Sequence, residues 1–157
     1  MSAEAAASDR IEKSIVLRAP RARVWRAISD PAEFGSWFRV DFGGVSFVPG
    51  ATVRGKLTYP GYEHLTFEIA IERMEPGRVF SFRWHPYAVD PAVDYSTEPT
   101  TLVEFALEDA AGGTRLTVVE SGFDRIPLQR RAEALRMNDA GWAEQVRNID
   151  AYLAGAK

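Results

Sequence analysis

The feature that most constrains the fold is a change in hydrophobic period, from two in the middle of the chain to a helical spacing at its end. Apolar and polar residues alternate along GVSFVPGATVRGKLTY (44–59), LTFEIAIERM (65–74), RVFSFRWHP (78–86), TTLVEFALED (100–109) and TRLTVVESGF (114–123). Such alternation is typical of strands with one buried face. Pro49–Gly50 divides the first segment, so six strands joined mainly by short turns are predicted, and they form an antiparallel meander.

A seventh strand and two short helices are predicted before this meander. RIEKSIVLRAP (10–20) forms the strand, with Ile11, Ile15 and Leu17 on one face. The second helix has a clear start, because Asp30 can act as N-cap, Pro31 fits the first helical position, and Glu33 completes a capping-box pattern.

The segment 128–155 is predicted to be one long helix. Its apolar stripe comprises Leu128, Ala132, Leu135, Trp142, Val146, Ile149 and Leu153. The stripe lacks one position, 139, which holds Asp139. The predicted fold is therefore α+β: a strongly curved antiparallel sheet of about seven strands wraps a long C-terminal helix, with two short helices after the first strand. Residues 10–155 form a single domain, and residues 1–9 are expected to be a disordered tail.

Composition excludes several classes of function. The chain has no cysteine, so disulfides and cysteine-ligated zinc are excluded. The net charge of −3 gives no reason to expect nucleic acid. No apolar run is long enough for membrane insertion, and no secretory signal is present, so a cytoplasmic location is expected.

His64 and His85 lack metal-ligand spacing, and neither a metal nor a cofactor is expected.

The segment IVLRAPRARVWRAISDPAEFGSWF (15–38) resembles the opening signature of the activator-of-heat-shock-protein-90-ATPase-like family. That family lies within the SRPBCC, or START/polyketide-cyclase-like, helix-grip superfamily. The resemblance continues at GGTRLTVVESGF (112–123) and at Gly141–Trp142. It implies a deep, mostly apolar cavity between the sheet and the long helix. Fold alone does not select the ligand, because members include lipid, hormone and polyketide binders, cyclases and a co-chaperone.

Seven large aromatic residues are predicted to face the interior. They are Trp37, Phe38, Phe67, Phe82, Trp84, Phe105 and Trp142. These rings can fill an ordinary core or line a cavity for a flat hydrophobic ligand, and the resemblance favours a cavity shared with the core.

Two carboxylates are candidates for polar contacts in that cavity. Asp139 interrupts the apolar stripe, and burying it is costly unless it is paired or lines a wet cavity. Glu120 shares a strand face with Leu116 and Val118 and is its expected companion. Two such groups are suited to general acid–base chemistry. Alternatively, Asp139 reaches solvent or an arginine such as Arg83 or Arg136, and Glu120 lies at the rim.

Two further features have local interpretations. Gly141 is expected to let the helix backbone approach the sheet or the short helices closely and to make room for Trp25 or Trp37. The 14-residue connection 86–99 is long for a hairpin loop, and it is either functional or a solvated excursion.

Three functions follow from these observations. The first is binding of a hydrophobic small molecule (lipid-, polyketide- or aromatic-like) in the cavity, with no catalytic residue assigned. The alternative is an enzyme of cyclase, dehydrase or hydrolase type that uses Asp139 or Glu120 as acid or base. The third is a co-chaperone-like interaction module with a chaperone partner. A monomer or a homodimer is expected.

Overall fold

A computed structural model describes residues 10–90 and 92–155. The expected disordered tail, residues 1–9, lies outside the described residues. The single domain at 10–155 stays a prediction.

Seven antiparallel strands form one sheet, which is the number that the sequence predicts. The strands are β1 (Arg10–Leu17), β2 (Val40–Asp41), β3 (Thr52–Leu57), β4 (Thr66–Glu75), β5 (Val79–Trp84), β6 (Thr101–Ala110) and β7 (Gly113–Ser121). Their order across the sheet is β1-β7-β6-β5-β4-β3-β2, so the first strand, β1, pairs with the last strand, β7. A register shift between Ile71 and Arg73 interrupts the β4–β5 ladder, as a β-bulge does.

The described helices lie on one face of this sheet. They are α1 (Arg21–Ser29), α2 (Pro31–Phe38) and α3 (Leu128–Gly155), with single 3₁₀ turns at Tyr95–Thr97 and Phe123–Arg125. The curved sheet, the long C-terminal helix and the two short helices after β1 confirm the helix-grip α+β prediction.

The start of α2 matches its sequence pattern in part. Asp30 accepts a hydrogen bond from the backbone N–H of Glu33 at 3.0 Å, and Pro31 opens the helix. The Glu33 side chain does not return to the cap. It accepts instead from Arg23, Arg26 and Tyr152, which ties α2 to α1 and to the end of α3.

The predicted strand before the Pro49–Gly50 turn is wrong. The strand that pairs with β3 is Val40–Asp41, directly after α2, and residues 44–48 form no ladder. Phe47 alone anchors this segment, stacking on Phe80 with ring centroids 5.5 Å apart, while Val48 is 51% exposed. The alternation of apolar residues predicted a strand here, yet Phe47 is the one buried residue of the segment 44–48.

The interior between sheet and helices is densely aromatic. Phe34, Phe80, Phe82, Phe105 and Phe123 are completely buried. Aromatic rings packed edge-to-face or offset add stabilisation beyond that of the apolar area that the fold removes from water.

Among the described helices, none combines the length and the apolar character needed to cross a bilayer.

Candidate ligand pocket

One buried carboxylate connects three strands with the long helix. Glu120, on the inward face of β7, is fully buried. Its oxygens accept hydrogen bonds from the indole N–H groups of Trp84 at 2.7 Å and Trp142 at 2.8 Å, and from the Thr101 hydroxyl at 2.6 Å. The Asn138 amide donates to both oxygens, at 3.0 and 3.2 Å. We call these five residues the Glu120 cluster.

The Glu120 cluster satisfies its carboxylate with neutral donors. An indole N–H can only donate, so both tryptophans need an acceptor when they are buried. Burial of a carboxylate is costly unless hydrogen bonds replace its hydration, and here each oxygen accepts at least two. The cluster therefore fixes the orientation of two indole rings and the rotation of α3.

Asp139 does not point into the interior, which corrects the sequence expectation. Its side chain is 55% exposed and pairs with Lys13 of β1 at 3.0 Å. Positions 138 and 139 complete the apolar stripe equally well, because each lies three or four residues from Leu135 and Trp142. The helix places Asn138 inward, since an amide can donate to Glu120 whereas a second carboxylate there would repel it.

An open pocket lies beside the Glu120 cluster, between the middle of α3 and the segment that follows β3. Its volume is about 360 Å³. It is lined by Phe38, Leu57, Tyr59, Tyr62, Trp84, Met137, Asn138, Ala140, Gly141, Trp142, Glu144 and Gln145. We call it the helix lobe.

A second pocket of about 460 Å³ adjoins the first. It shares Phe38, Leu57 and Trp84 with the helix lobe and extends under the connection between β5 and β6. Its other lining residues are Leu65, Thr66, Phe67, Glu68, His85, Tyr87, Ala88, Val89, Asp94, Tyr95 and Ser96. We call it the loop lobe.

The predicted aromatic residues divide between these lobes and a closed interior. Phe38, Trp84 and Trp142 line the helix lobe, and Phe67 joins Phe38 and Trp84 in the loop lobe. Phe82 is fully buried. At the seam between sheet and helix, Trp37, Phe105 and Trp142 pack without space for a water molecule. The open space therefore lies at the mouth of the fold, whereas the interior at this seam is filled.

Sequence reasoning missed the tyrosines that form the outer wall. Tyr59 and Tyr62 flank the Pro60–Gly61 turn, and their ring centroids lie 5.8 Å apart. The sequence signal that could have identified them is an aromatic residue on either side of a Pro-Gly turn, in TYPGY (58–62).

Gly141 has a different role from the one expected. An added Cβ would meet no atom within 4 Å, and the residue is exposed, so it does not permit a close approach of the helix backbone. The missing side chain instead leaves the wall of the helix lobe open.

The long connection 86–99 is fastened to the start of α3. Arg130 pairs with Glu98 at 2.8 Å, and both side chains are mostly buried. The same guanidinium donates to the Pro86 carbonyl at 2.8 Å and lies 4.8 Å from the centre of the Tyr95 ring. These contacts favour a structured wall for the loop lobe over a solvated excursion.

Among the described residues, no three His, Asp or Glu side chains are grouped so that they could hold a metal ion.

Comparison with solved structures relates this geometry to known proteins. DynU16, a protein in the dynemicin biosynthetic locus, is 25% identical with a TM-score of 0.72, and the match covers 95% of this chain and 48% of DynU16. This chain thus spans about half the length of DynU16. MLL2253 from Mesorhizobium loti is 19% identical with a TM-score of 0.72, covering 94% and 98% of the two chains.

The solution structure of the Aha1 dimer from Colwellia psychrerythraea is also similar. Its identity is 14% and its TM-score 0.68, covering 94% of this chain and 98% of that one. Comparison with curated proteins gives no match. The family model described as activator of Hsp90 ATPase homolog 1-like protein matches residues 18–154. The chain therefore belongs to the activator of Hsp90 ATPase homolog 1-like family, as the sequence resemblance predicted.

Proposed function

We propose that the protein binds a hydrophobic small molecule at the helix lobe and the adjoining loop lobe. The observation that carries this proposal is the aromatic lining of the helix lobe by Phe38, Tyr59, Tyr62, Trp84 and Trp142. A concave surface of this volume, mostly apolar with a few polar groups, is typical of small-molecule sites.

The rigidity of the pocket floor supports the same proposal. Trp84 and Trp142 lie with ring centroids 5.7 Å apart, and both donate their indole N–H to Glu120. Side chains that are held in place before binding lose less conformational entropy when a ligand arrives. The floor is therefore prepared for a flat ligand without rearrangement.

The class of ligand is kept as predicted: lipid-, polyketide- or aromatic-like. The likeness to DynU16, a protein in a biosynthetic locus, is compatible with a small-molecule ligand. A cytoplasmic location stays a prediction.

The acid–base alternative has less support. Glu120 is fully buried, and it lies behind Trp84, Asn138 and Trp142, which themselves line the helix lobe. Asp139 is mostly exposed, pairs with Lys13 and lines neither lobe.

A co-chaperone role rests on the family likeness, and a homodimer rests on the likeness to the Colwellia dimer. Light scattering of the purified protein distinguishes monomer from homodimer.

Blocking the helix lobe tests the binding proposal. A panel of flat hydrophobic compounds is screened by thermal denaturation, because a ligand held only by the native state raises the melting temperature according to RT ln(1 + [L]/Kd). Gly141→Leu places an apolar side chain in the lobe and is expected to weaken binding of each hit at least about tenfold.

Ala151→Leu is the matched control, since Ala151 is exposed on the same helix and does not line either lobe. It should bind the hits as the wild type does. A panel without hits, or equal affinity in Gly141→Leu and the wild type, would overturn the proposal.

A further inference from the structure

The charged residues of the two lobes are almost all acidic. Glu144 is the one charged residue in the lining of the helix lobe. The lining of the loop lobe contains Glu68, Asp94 and His85. Neither lining includes a lysine or an arginine, which are the side chains that usually recognise carboxylate and phosphate groups.

Glu144 lies at the wall of the helix lobe without a cationic partner. Its carboxylate accepts a hydrogen bond from the Tyr59 hydroxyl at 3.5 Å. Within the described residues, no lysine, arginine or histidine nitrogen lies within 4 Å of it. Its negative charge is therefore available to a ligand.

The walls around Glu144 favour positive charge as well. The faces of Trp and Tyr rings attract cations that come within about 6 Å of the ring centre. Tyr59 already demonstrates this property, because the guanidinium of Arg39, which does not line the lobe, lies 5.5 Å from its ring centroid. Tyr62, Trp84 and Trp142 present further rings in the same lobe.

We propose that the helix lobe selects flat hydrophobic ligands that carry an ammonium group, with the cation beside Glu144 and the apolar body against the aromatic lining. This inference rests on the proposed binding function and names the class of ligand. It disfavours fatty acids, aryl carboxylates and phosphate esters, because an anion in this lobe would meet Glu144 and no lysine or arginine is among the lining residues.

The loop lobe contributes less to this selection. Glu68 pairs with Arg54 at 3.3 Å, so its charge is largely compensated. Hydrogen bonds from Ser96 hold the pKa of Asp94 below its usual range, and Asp94 is charged at neutral pH. Asp94 is exposed, however, and solvent screens its effect on a ligand in the helix lobe.

Three naphthalene probes with one ring system and different charges test the proposal. Naphthylmethylammonium, naphthylmethanol and naphthoate are titrated at neutral pH, and calorimetry gives each Kd. Cation–π attraction and a partly exposed ion pair together predict that the ammonium binds about tenfold more tightly than the alcohol, with the carboxylate weakest. Glu144→Gln should reduce the ammonium preference to about threefold or less.

Glu133→Gln provides the matched control, because Glu133 is exposed on α3 and lines neither lobe. It should retain the full preference. If the alcohol binds and Gly141→Leu blocks it, but the ammonium is not preferred or Glu144→Gln leaves the preference intact, the charge proposal fails while the binding proposal stands. If none of the three probes binds, both proposals fail for flat aromatic ligands.

Discussion

Glu120 illustrates how one polar residue can organise an apolar interior. The surrounding residues supply donors from the two indole N–H groups and the Asn138 NH₂ group, together with the Thr101 hydroxyl. An ionised carboxylate matches this set because it offers only acceptors. Hydrogen bonds from neutral donors therefore hold Glu120 in place, and not an ion pair with an opposite charge.

Glu120→Gln is expected to lower the free energy of unfolding by about 2 kcal/mol or more. A glutamine is nearly isosteric, but its NH₂ group would face an indole or amide N–H and leave a buried donor without an acceptor, at about 1–3 kcal/mol for each such group. Urea denaturation measures the change, and near-UV circular dichroism reports the packing of Trp84 and Trp142.

Glu108→Gln removes a carboxylate of the same type from an exposed position on β6 and should change stability by less than about 0.5 kcal/mol. Equal stability of Glu120→Gln and the wild type would show that the cluster does not depend on two acceptor oxygens.

The residue pattern predicted Glu120 but not its partners. Its inward direction followed from the alternation on β7, because Leu116, Val118 and Glu120 share the buried face. The donors come from positions 18 to 36 residues away, and only the folded register brings them together. Spacing alone left Asn138 and Asp139 equivalent, and the need of a buried carboxylate for a donor decides between them.

At the level of elements, α3 runs without interruption through the sequence Asn-Asp-Ala-Gly-Trp. Asn138 is explained by Glu120 and Asp139 by Lys13. Gly141 makes neither a close packing contact nor a turn, and it lowers helix stability by about 1 kcal/mol relative to alanine. Its presence in the helix is explained if the open wall of the helix lobe is needed for a ligand.

Gly141→Ala is therefore expected to stabilise the protein, by about 0.5–1 kcal/mol, with a rise in melting temperature of about 2–3 °C. The added methyl group meets open space, and the helix gains intrinsic propensity. Differential scanning calorimetry measures the shift.

Gly35→Ala should have the opposite sign. There a Cβ would lie within 2.1 Å of the Val40 carbonyl oxygen, where α2 packs on the start of β2, so backbone must move. If Gly141→Ala destabilises the protein as Gly35→Ala does, the space beside α3 is not open in solution.

Elements with a strong period were predictable, and those defined by one or two contacts were not. The strands from β3 to β7 follow their alternation because each has at least two apolar residues on one face. The two-residue β2 has no period at all, and its position depends on Arg39, which ends α2 in a left-handed conformation with φ 73°. Alternation therefore predicts the strand in the next segment, 44–48, and not at 40–41.

At the level of the whole molecule, three of the polar contacts made by α3 are spread along its length. Arg130 and Glu98 fasten its beginning to the β5–β6 connection, and Glu120 holds its middle through Asn138 and Trp142. Tyr152 holds its end by donating to Glu33 at 2.8 Å. The residues of α3 that line the helix lobe fall within 137–145, around the second contact.

The third contact makes this part of the fold sensitive to pH. Burial by itself would raise the pKa of Glu33, but hydrogen bonds from Tyr152, Arg23 and Arg26 outweigh it and hold the pKa below its usual range. Burial and the hydrogen bond to Glu33 raise the pKa of Tyr152 above its usual range. The tie is therefore complete between an ordinary glutamate pKa of about 4.3 and an ordinary tyrosine pKa of about 10.

Glu33→Gln is expected to cost about 1–3 kcal/mol of unfolding free energy near neutral pH, because it removes charge-assisted hydrogen bonds to two arginines. Since the folded-state pKa of Glu33 is lowered, the wild type loses this advantage as pH falls from about 4 through that pKa, and the two proteins converge in acid. Urea denaturation between about pH 3 and pH 7 measures the difference. Glu133→Gln should parallel the wild type throughout, and a Glu33→Gln difference that stays constant with pH would contradict the assignment of the tie to an ionised Glu33.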